Sequence, residues 1–210
     1  MSRKSVCSVV LVLVFCSASM SAQSLRLGVT SVTLTHTEVS EDLSSVGVGA
    51  GGHLGIRWRR FGLEASGFRA EMAPDREDLA DFTLTQYDVR FSYWPVSVVA
   101  FEFGSGRRLI EPEFAAQDVS AARVGVLSEY PLARMSEIWV RGAYLIDPRF
   151  NGGGTAGLAL ELGLGVAVGT SNGRFRVRAD AEFQRIDRTV NGVDVPIQVT
   201  IARFGLQLGI

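Results

Sequence analysis

The chain has 210 residues, 47% of them hydrophobic, a formal net charge of −1 at pH 7 and two cysteines. That length suits one domain or one barrel, and the balanced charge offers no basic excess for nucleic-acid binding. Both cysteines, Cys7 and Cys16, lie in a stretch expected to be removed, which excludes disulfides, thiolate metal sites and cysteine nucleophiles from the mature chain.

Residues 1–22 read as a secretory signal. Arg3 and Lys4 give a positive start, 6–15 an apolar run too short to span as a helix, and 16–22 a tail of mostly small residues. Cleavage removes both cations and no acid, so the net charge moves from −1 to −3. The remainder, 23–210, is expected to form a single domain of antiparallel strands, ten in number, with eight as the alternative count.

The first candidate strand, 25–35, has Leu25, Leu27 and Val29 on one parity but Val32 and Leu34 on the other, so a bulge is expected near Thr30. A polar loop leads to 46–58, where Val48, Ala50, Leu54, Ile56 and Trp58 oppose a parity rich in glycine, with His53 and Arg57. Arg59-Arg60 is a tight turn into a third strand through Phe61, Leu63 and Ala65. A loop over 70–81 precedes the fourth strand, which sets Tyr87, Val89, Phe91 and Tyr93 against Gln86, Asp88, Arg90 and Ser92.

Strand five centres on Val99, Phe101 and Phe103, and 104–118 is expected to be the longest loop. Strands six and seven occupy 119–130 and 135–146, with a glycine-rich loop at 147–155. Next comes the clearest pattern in the chain. Leu158, Leu160, Leu162, Leu164, Val166 and Val168 recur at every second position between small residues and Glu161. After a turn at 170–174 the alternation resumes as Phe175, Val177, Ala179, Ala181 and Phe183 against Arg176, Arg178, Asp180, Glu182 and Gln184. Period two with an Asn-Gly break is a hairpin, and strands of about ten residues match a tilted bilayer crossing. A loop at 187–195 leads to a last strand with Phe204, Leu206, Leu208 and Ile210 on one face.

Short turns near 59, 95, 131 and 172 alternate with longer loops near 40, 74, 111, 151 and 191, which places each kind at its own end of the sheet. Aromatics collect at both ends. Trp58, Phe61, Tyr93, Trp94, Tyr130 and Phe175 lie near the short turns, and Phe68, Phe82, Phe103, Tyr144 and Phe183 near the long loops. Two such bands, with glycine and alanine on the polar parity, favour an apolar face turned to lipid over a soluble barrel that buries it.

This pattern resembles small bacterial outer-membrane barrels of the OmpA and OmpX type over about nine tenths of the chain, from Leu25 onward. The likeness is architectural, and Ile210 stands where the family usually ends on an aromatic residue. It implies a Gram-negative outer-membrane location, contact with outer-membrane lipid, and delivery to the barrel-assembly machinery through the C-terminal strand. It also implies outside loops open to an extracellular ligand. Such barrels include structural proteins, adhesins, narrow porin-like channels and a few lipid- or peptide-cleaving enzymes, so the resemblance leaves these roles open.

The candidate chemistry lies on the polar parity. Arg57, Glu64, Asp88, Arg90, Glu102, Arg141, Glu161, Arg176, Arg178, Asp180, Glu182 and Arg203 are expected to face the lumen, six of each sign. Charges in a narrow lumen need partners, so the expected result is a salt-bridged plug, with a narrow solute or ion path as the alternative. With the hairpin centred near Asn172, residues summing to about 343–345 should lie opposite one another. Glu161 then falls near Glu182 and Asp180, and Arg203 is the cation expected to neutralise the acids.

A rim-based lipid-modifying reading would use His36 with Ser40 and Glu38, since histidine can activate a hydroxyl. His36 and His53 are too far apart in sequence to suggest a metal. The glycine runs at 47–52 and 152–157 fit the dinucleotide pattern but open no helix, so no cofactor is expected.

Overall fold

The computed structural model describes residues 23–40, 43–112, 114–133, 135–170 and 174–209. The expected signal, the turn at Asn172 and the terminal Ile210 lie outside them. The strands are β1 (Gln23–Glu38), β2 (Leu43–Trp58), β3 (Phe61–Pro74), β4 (Phe82–Val96), β5 (Val99–Glu111) and β6 (Val119–Ala133). They continue as β7 (Ser136–Phe150), β8 (Thr155–Gly169), β9 (Phe175–Val190), the two-residue β10 (Val193–Asp194) and β11 (Ile197–Gly209). Every neighbouring pair is antiparallel, and β11 pairs with both β9 and β1, which closes the sheet. With β10 only a hairpin extension of β9, the wall is a ten-stranded antiparallel barrel.

The strands outrun the expected loops. β3 continues to Pro74, β5 to Glu111, β7 to Phe150 and β9 to Val190, so most of 104–118 is wall and not loop. The reason is a change of phase. In the half near the short turns, outward side chains are apolar: Leu160, Leu162, Leu164, Phe91, Val126 and Leu206 are all exposed. Eleven residues from Leu158 to Val168, at roughly 3.3 Å each and tilted about 45°, make a band about 25 Å tall, the thickness of a bilayer core. Trp58, Phe61, Phe91 and Tyr93 stack along its short-turn edge, with centroids 5.5–6.3 Å apart. Tyr87, Phe103, Tyr144 and Phe183 mark the other edge.

Beyond that edge the same strands turn inside out. Thr33, Arg69, Glu71, Arg107, Glu111 and Arg185 point outward, while Val32, Leu34, Phe68, Met72, Phe82, Leu84, Ile110 and Ile201 form a buried apolar cluster inside. A wall that leaves the bilayer meets water outside, so its apolar parity must turn inward. At roughly 1.5–3 kcal/mol for each large side chain buried, this cluster is the main source of stability in the upper barrel.

Three expectations are corrected here. β1 pairs without a break against β2 from Gln23 to Glu38, so there is no bulge at Thr30, and Val32 (2% exposed) and Leu34 (1%) face inward. Phe68 and Phe82 belong to the inner cluster and not to an aromatic belt. Trp94 also faces inward, because it continues the inner parity of Gln86, Asp88, Arg90 and Ser92 along β4.

Candidate functional site: the barrel interior

All twelve charged residues expected in the lumen have their side chains inside the wall, and the structure joins them in tiers. At the short-turn end, Arg57 donates to Glu129 at 3.3 Å and lies 3.9 Å over the Trp94 ring. Arg176 reaches Glu137 at 2.7 Å, with Arg26 on the same carboxylate at 3.8 Å.

The middle tier is denser. Arg90 donates to Glu161 at 2.9 Å and approaches Glu182 at 3.7 Å. Arg123 donates to the other Glu161 oxygen at 2.8 Å and pairs with Asp88 through its second guanidinium nitrogen. Arg141 holds Glu102 at 2.6 Å and lies 3.9 Å from Glu64. Arg203 bridges Asp180 (2.9 Å) and Glu182 (3.1 Å), and Arg178 takes the second Asp180 oxygen at 2.9 Å. Each buried acid therefore has at least one guanidinium, and several share one. That sharing keeps charge from standing unpaired in low dielectric.

Backbone approach decides which side chains fit. Gly106 sits under the Arg123–Asp88 pair, where any Cβ would collide with both side chains. Gly165 floors Trp139, and a Cβ there would lie 2.5 Å from the indole. The guanidinium groups of Arg141 (5.2 Å) and Arg178 (5.0 Å) each lie over the Trp139 ring.

The register of the central hairpin corrects one expectation. Opposed residues sum to 345, which sets Glu161 against Gln184 and not against Glu182. Its neutralising cations are Arg90 and Arg123. Arg203 stands directly opposite Asp180 on β9. The sequence reading missed Arg123, Arg108, Glu129, Glu137 and Arg26. Arg123 was legible, because Val124 and Val126 beside it are outward and apolar. Arg108 was hidden by the assumption that 104–118 is a loop.

Above the ion pairs, Arg108 donates to the side-chain oxygens of Gln86 (3.2 Å) and Gln184. Over it closes the apolar cluster, with Phe114 stacked edge-on against Phe82 at 5.2 Å. His36 is buried in this cap, edge-on to Phe82 at 6.3 Å. Ser40 is exposed in the following loop, so the histidine and hydroxyl of the rim-enzyme reading are not brought into one accessible site. His53 fills the space left by Gly28. The glycine run at 47–52 lies within β2 and opens no helix.

The interior space is divided. Cavities of about 30, 60 and 20 Å³ lie respectively beside His53 and Arg203, beside Arg57 and Trp94, and beside Arg108 and Gln184. Each has room for one or a few waters. A wider recess of about 260 Å³ lies at the short-turn rim, beside Tyr130 and Glu137.

No protein-family model and no curated protein matches the chain. Among solved structures it is similar to the outer-membrane protease OmpT from Escherichia coli, at 10% identity over 90% of this chain and 96% of that one, with a TM-score of 0.53. It is also similar to the translocator domain of the autotransporter NalP from Neisseria meningitidis (12%, 96% and 94%, 0.47). A third is the attachment invasion locus protein Ail of Yersinia pestis (12%, 90% and 100%, 0.37). At such identities the likeness is one of fold. The chain folds as a small outer-membrane-type β-barrel, closed and ten-stranded.

Proposed function

We propose that the protein is an integral outer-membrane barrel with a structural or surface-interaction role and a lumen sealed by its own side chains. The reading is carried by one observation: among the described residues, a layer of buried ion pairs is roofed by a layer of buried apolar residues, and the cavities beside them measure about 20 to 60 Å³. Residues 1–22 act as the export signal, the C-terminal strand engages the assembly machinery, and the longer loops face outward. A solute path would have to break the Arg90–Glu161–Arg123 cluster and then open the cap beneath Phe114.

The connecting segments fit a surface role on the long-loop side. Between strands on that side the sequence carries Glu41, Asp42, Asp75, Glu77, Asp78, Asp81, Glu113 and Asp118, with Asp194 in the short β10, against a single cation, Arg76. The four short turns carry Arg59, Arg60, Arg134 and Arg174 and no acid. An extracellular ligand at the long loops would therefore be drawn by positive charge. The test is swelling of liposomes loaded with small sugars: a sealed barrel leaves them at the rate of protein-free vesicles, whereas sugar-dependent swelling would favour the narrow-pore reading.

A further inference from the structure

The three cavities and the rim recess stand in a file. β4 runs past the cavities, and its inner side chains give their order. Trp94 and Ser92 line the space beside Arg57, Asp88 lines the one beside His53, and Gln86 lines the one beside Arg108. Trp94 to Gln86 is roughly 26 Å along the strand. Leu84 and Phe82 come next on the same face and belong to the apolar cap.

Single side chains form the walls between neighbours. Glu129 borders both the recess and the space beside Arg57. Glu64 and Arg90 border that space and the one beside His53, and Asp88 borders the last two. Three of these four walls are carboxylates. Glu64 keeps 29% of its side chain accessible and stands 3.9 Å from Arg141, beyond hydrogen-bond reach, whereas Glu161 is fully enclosed by its partners.

The same spaces collect unsatisfied polar atoms. Nε of Arg90, Nε2 of His53 and Nε of Arg123 are buried without a hydrogen-bond partner in the protein, and each residue lines at least one of the cavities. Buried donors of this kind are met by water. With the cap closed above, that water arrives from the short-turn rim.

We infer that the lumen is a half-channel. Water and a bare monovalent cation enter from the short-turn side, pass Glu129, Glu64 and Asp88 in turn, and stop beneath Leu84 and Phe82. The inference rests on the reading of the chain as an outer-membrane barrel with a sealed lumen. Ionisable side chains at membrane depth face water and mark ion paths, and here the path has one open end. Spaces of about 20 to 60 Å³ admit water and a bare ion and exclude a sugar.

The chain from Gln23 onward has no cysteine, so single cysteines report access. Ser92→Cys, Ser66→Cys and Ala121→Cys place a thiol at the three successive cavities, and Ala70→Cys places one in the cap. The full mature chain is folded into vesicles in nitrate buffer and exposed to silver ion, a water-sized thiol-reactive cation, supplied outside or trapped inside. Impermeant maleimide at Asp78→Cys in a long loop and Arg60→Cys in a short turn fixes which side is which. After quenching with chloride the chain is unfolded, and the remaining thiol is counted by maleimide labelling and mass. Silver on the short-turn side should abolish labelling at Ser92→Cys, Ser66→Cys and Ala121→Cys, and silver on the long-loop side should leave it intact. Ala70→Cys should keep its label in both cases, and all variants should keep the heat-modifiable gel mobility of a folded barrel.

Full labelling of the three lumen thiols with silver on either side would overturn the half-channel and leave the sealed barrel standing. Loss at Ser92→Cys without loss at Ser66→Cys or Ala121→Cys would end the path at Glu64 and Arg90 and overturn it likewise. Loss of label from the long-loop side would instead refute the sealed lumen itself.

Discussion

Arg203 and Asp180 stand directly opposite each other on β11 and β9, and their side chains meet inside the barrel at 2.9 Å. The same guanidinium holds Glu182 at 3.1 Å, so one cation serves two buried acids. Removing one partner of a buried pair leaves the other uncompensated, at a cost of about 3–5 kcal/mol. Arg203→Ala is expected to lower the midpoint of urea unfolding in detergent micelles by that order. Arg149→Ala breaks only an exposed pair and should cost less than about 1 kcal/mol. Equal midpoints for the two variants would contradict the interior network.

The facing of the wall changes with height, and arginine scanning reads it. Leu162 is outward and 58% exposed within the apolar band, so Leu162→Arg should cost on the order of 2–4 kcal/mol. Thr33 is also outward but stands beyond the band, and Thr33→Arg should be tolerated. Its neighbour Leu34 points inward, and Leu34→Ala should cost about 2–5 kcal/mol by emptying part of the apolar cap. If Thr33→Arg proves as harmful as Leu162→Arg, the upper wall is embedded in lipid and the inversion is wrong.

That inversion also explains what could be read from the sequence. The hairpin from Leu158 to Phe183 was legible because its outward side chains meet lipid along the whole length of the apolar run, so the alternation keeps one phase. β1 was misread at Val32 and Leu34 for the opposite reason. A period-two pattern whose apolar parity changes looks like a bulge, but here the surroundings change and the strand does not. The same error turned Gly104 to Glu111 into a loop and hid Arg108.

Within the site, charge signs and parity placed Arg203 near Asp180 and Glu182, because cross-strand neighbours follow from one hairpin register. Arg123 reaches Glu161 past an intervening strand. Such a meeting depends on barrel closure and diameter, which local pattern does not carry. Trp94 was legible by parity, since it follows Arg90 and Ser92 on the inner face of β4.

Trp139 offers a packing test. Its indole rests on Gly165 so closely that a single methyl group would lie 2.5 Å away. Gly165→Ala is expected to destabilise the barrel by about 1–3 kcal/mol through overpacking. The penalty should shrink when Trp139→Leu is introduced first, since the smaller side chain vacates the space. An unchanged penalty in the double variant, read from unfolding midpoints, would show that the two residues are not coupled.

The sealed lumen is tested most directly by single-channel recording in planar bilayers at neutral pH. With the Arg90–Glu161–Arg123 cluster and the apolar cap both in place, purified wild-type protein should insert without producing steps of conductance above the bare membrane. The double variant Arg123→Ala with Glu161→Ala, which opens the middle tier alone, should stay silent because the cap still closes the path. Reproducible, steady conductance from the wild type would contradict the account and establish the interior as a pore.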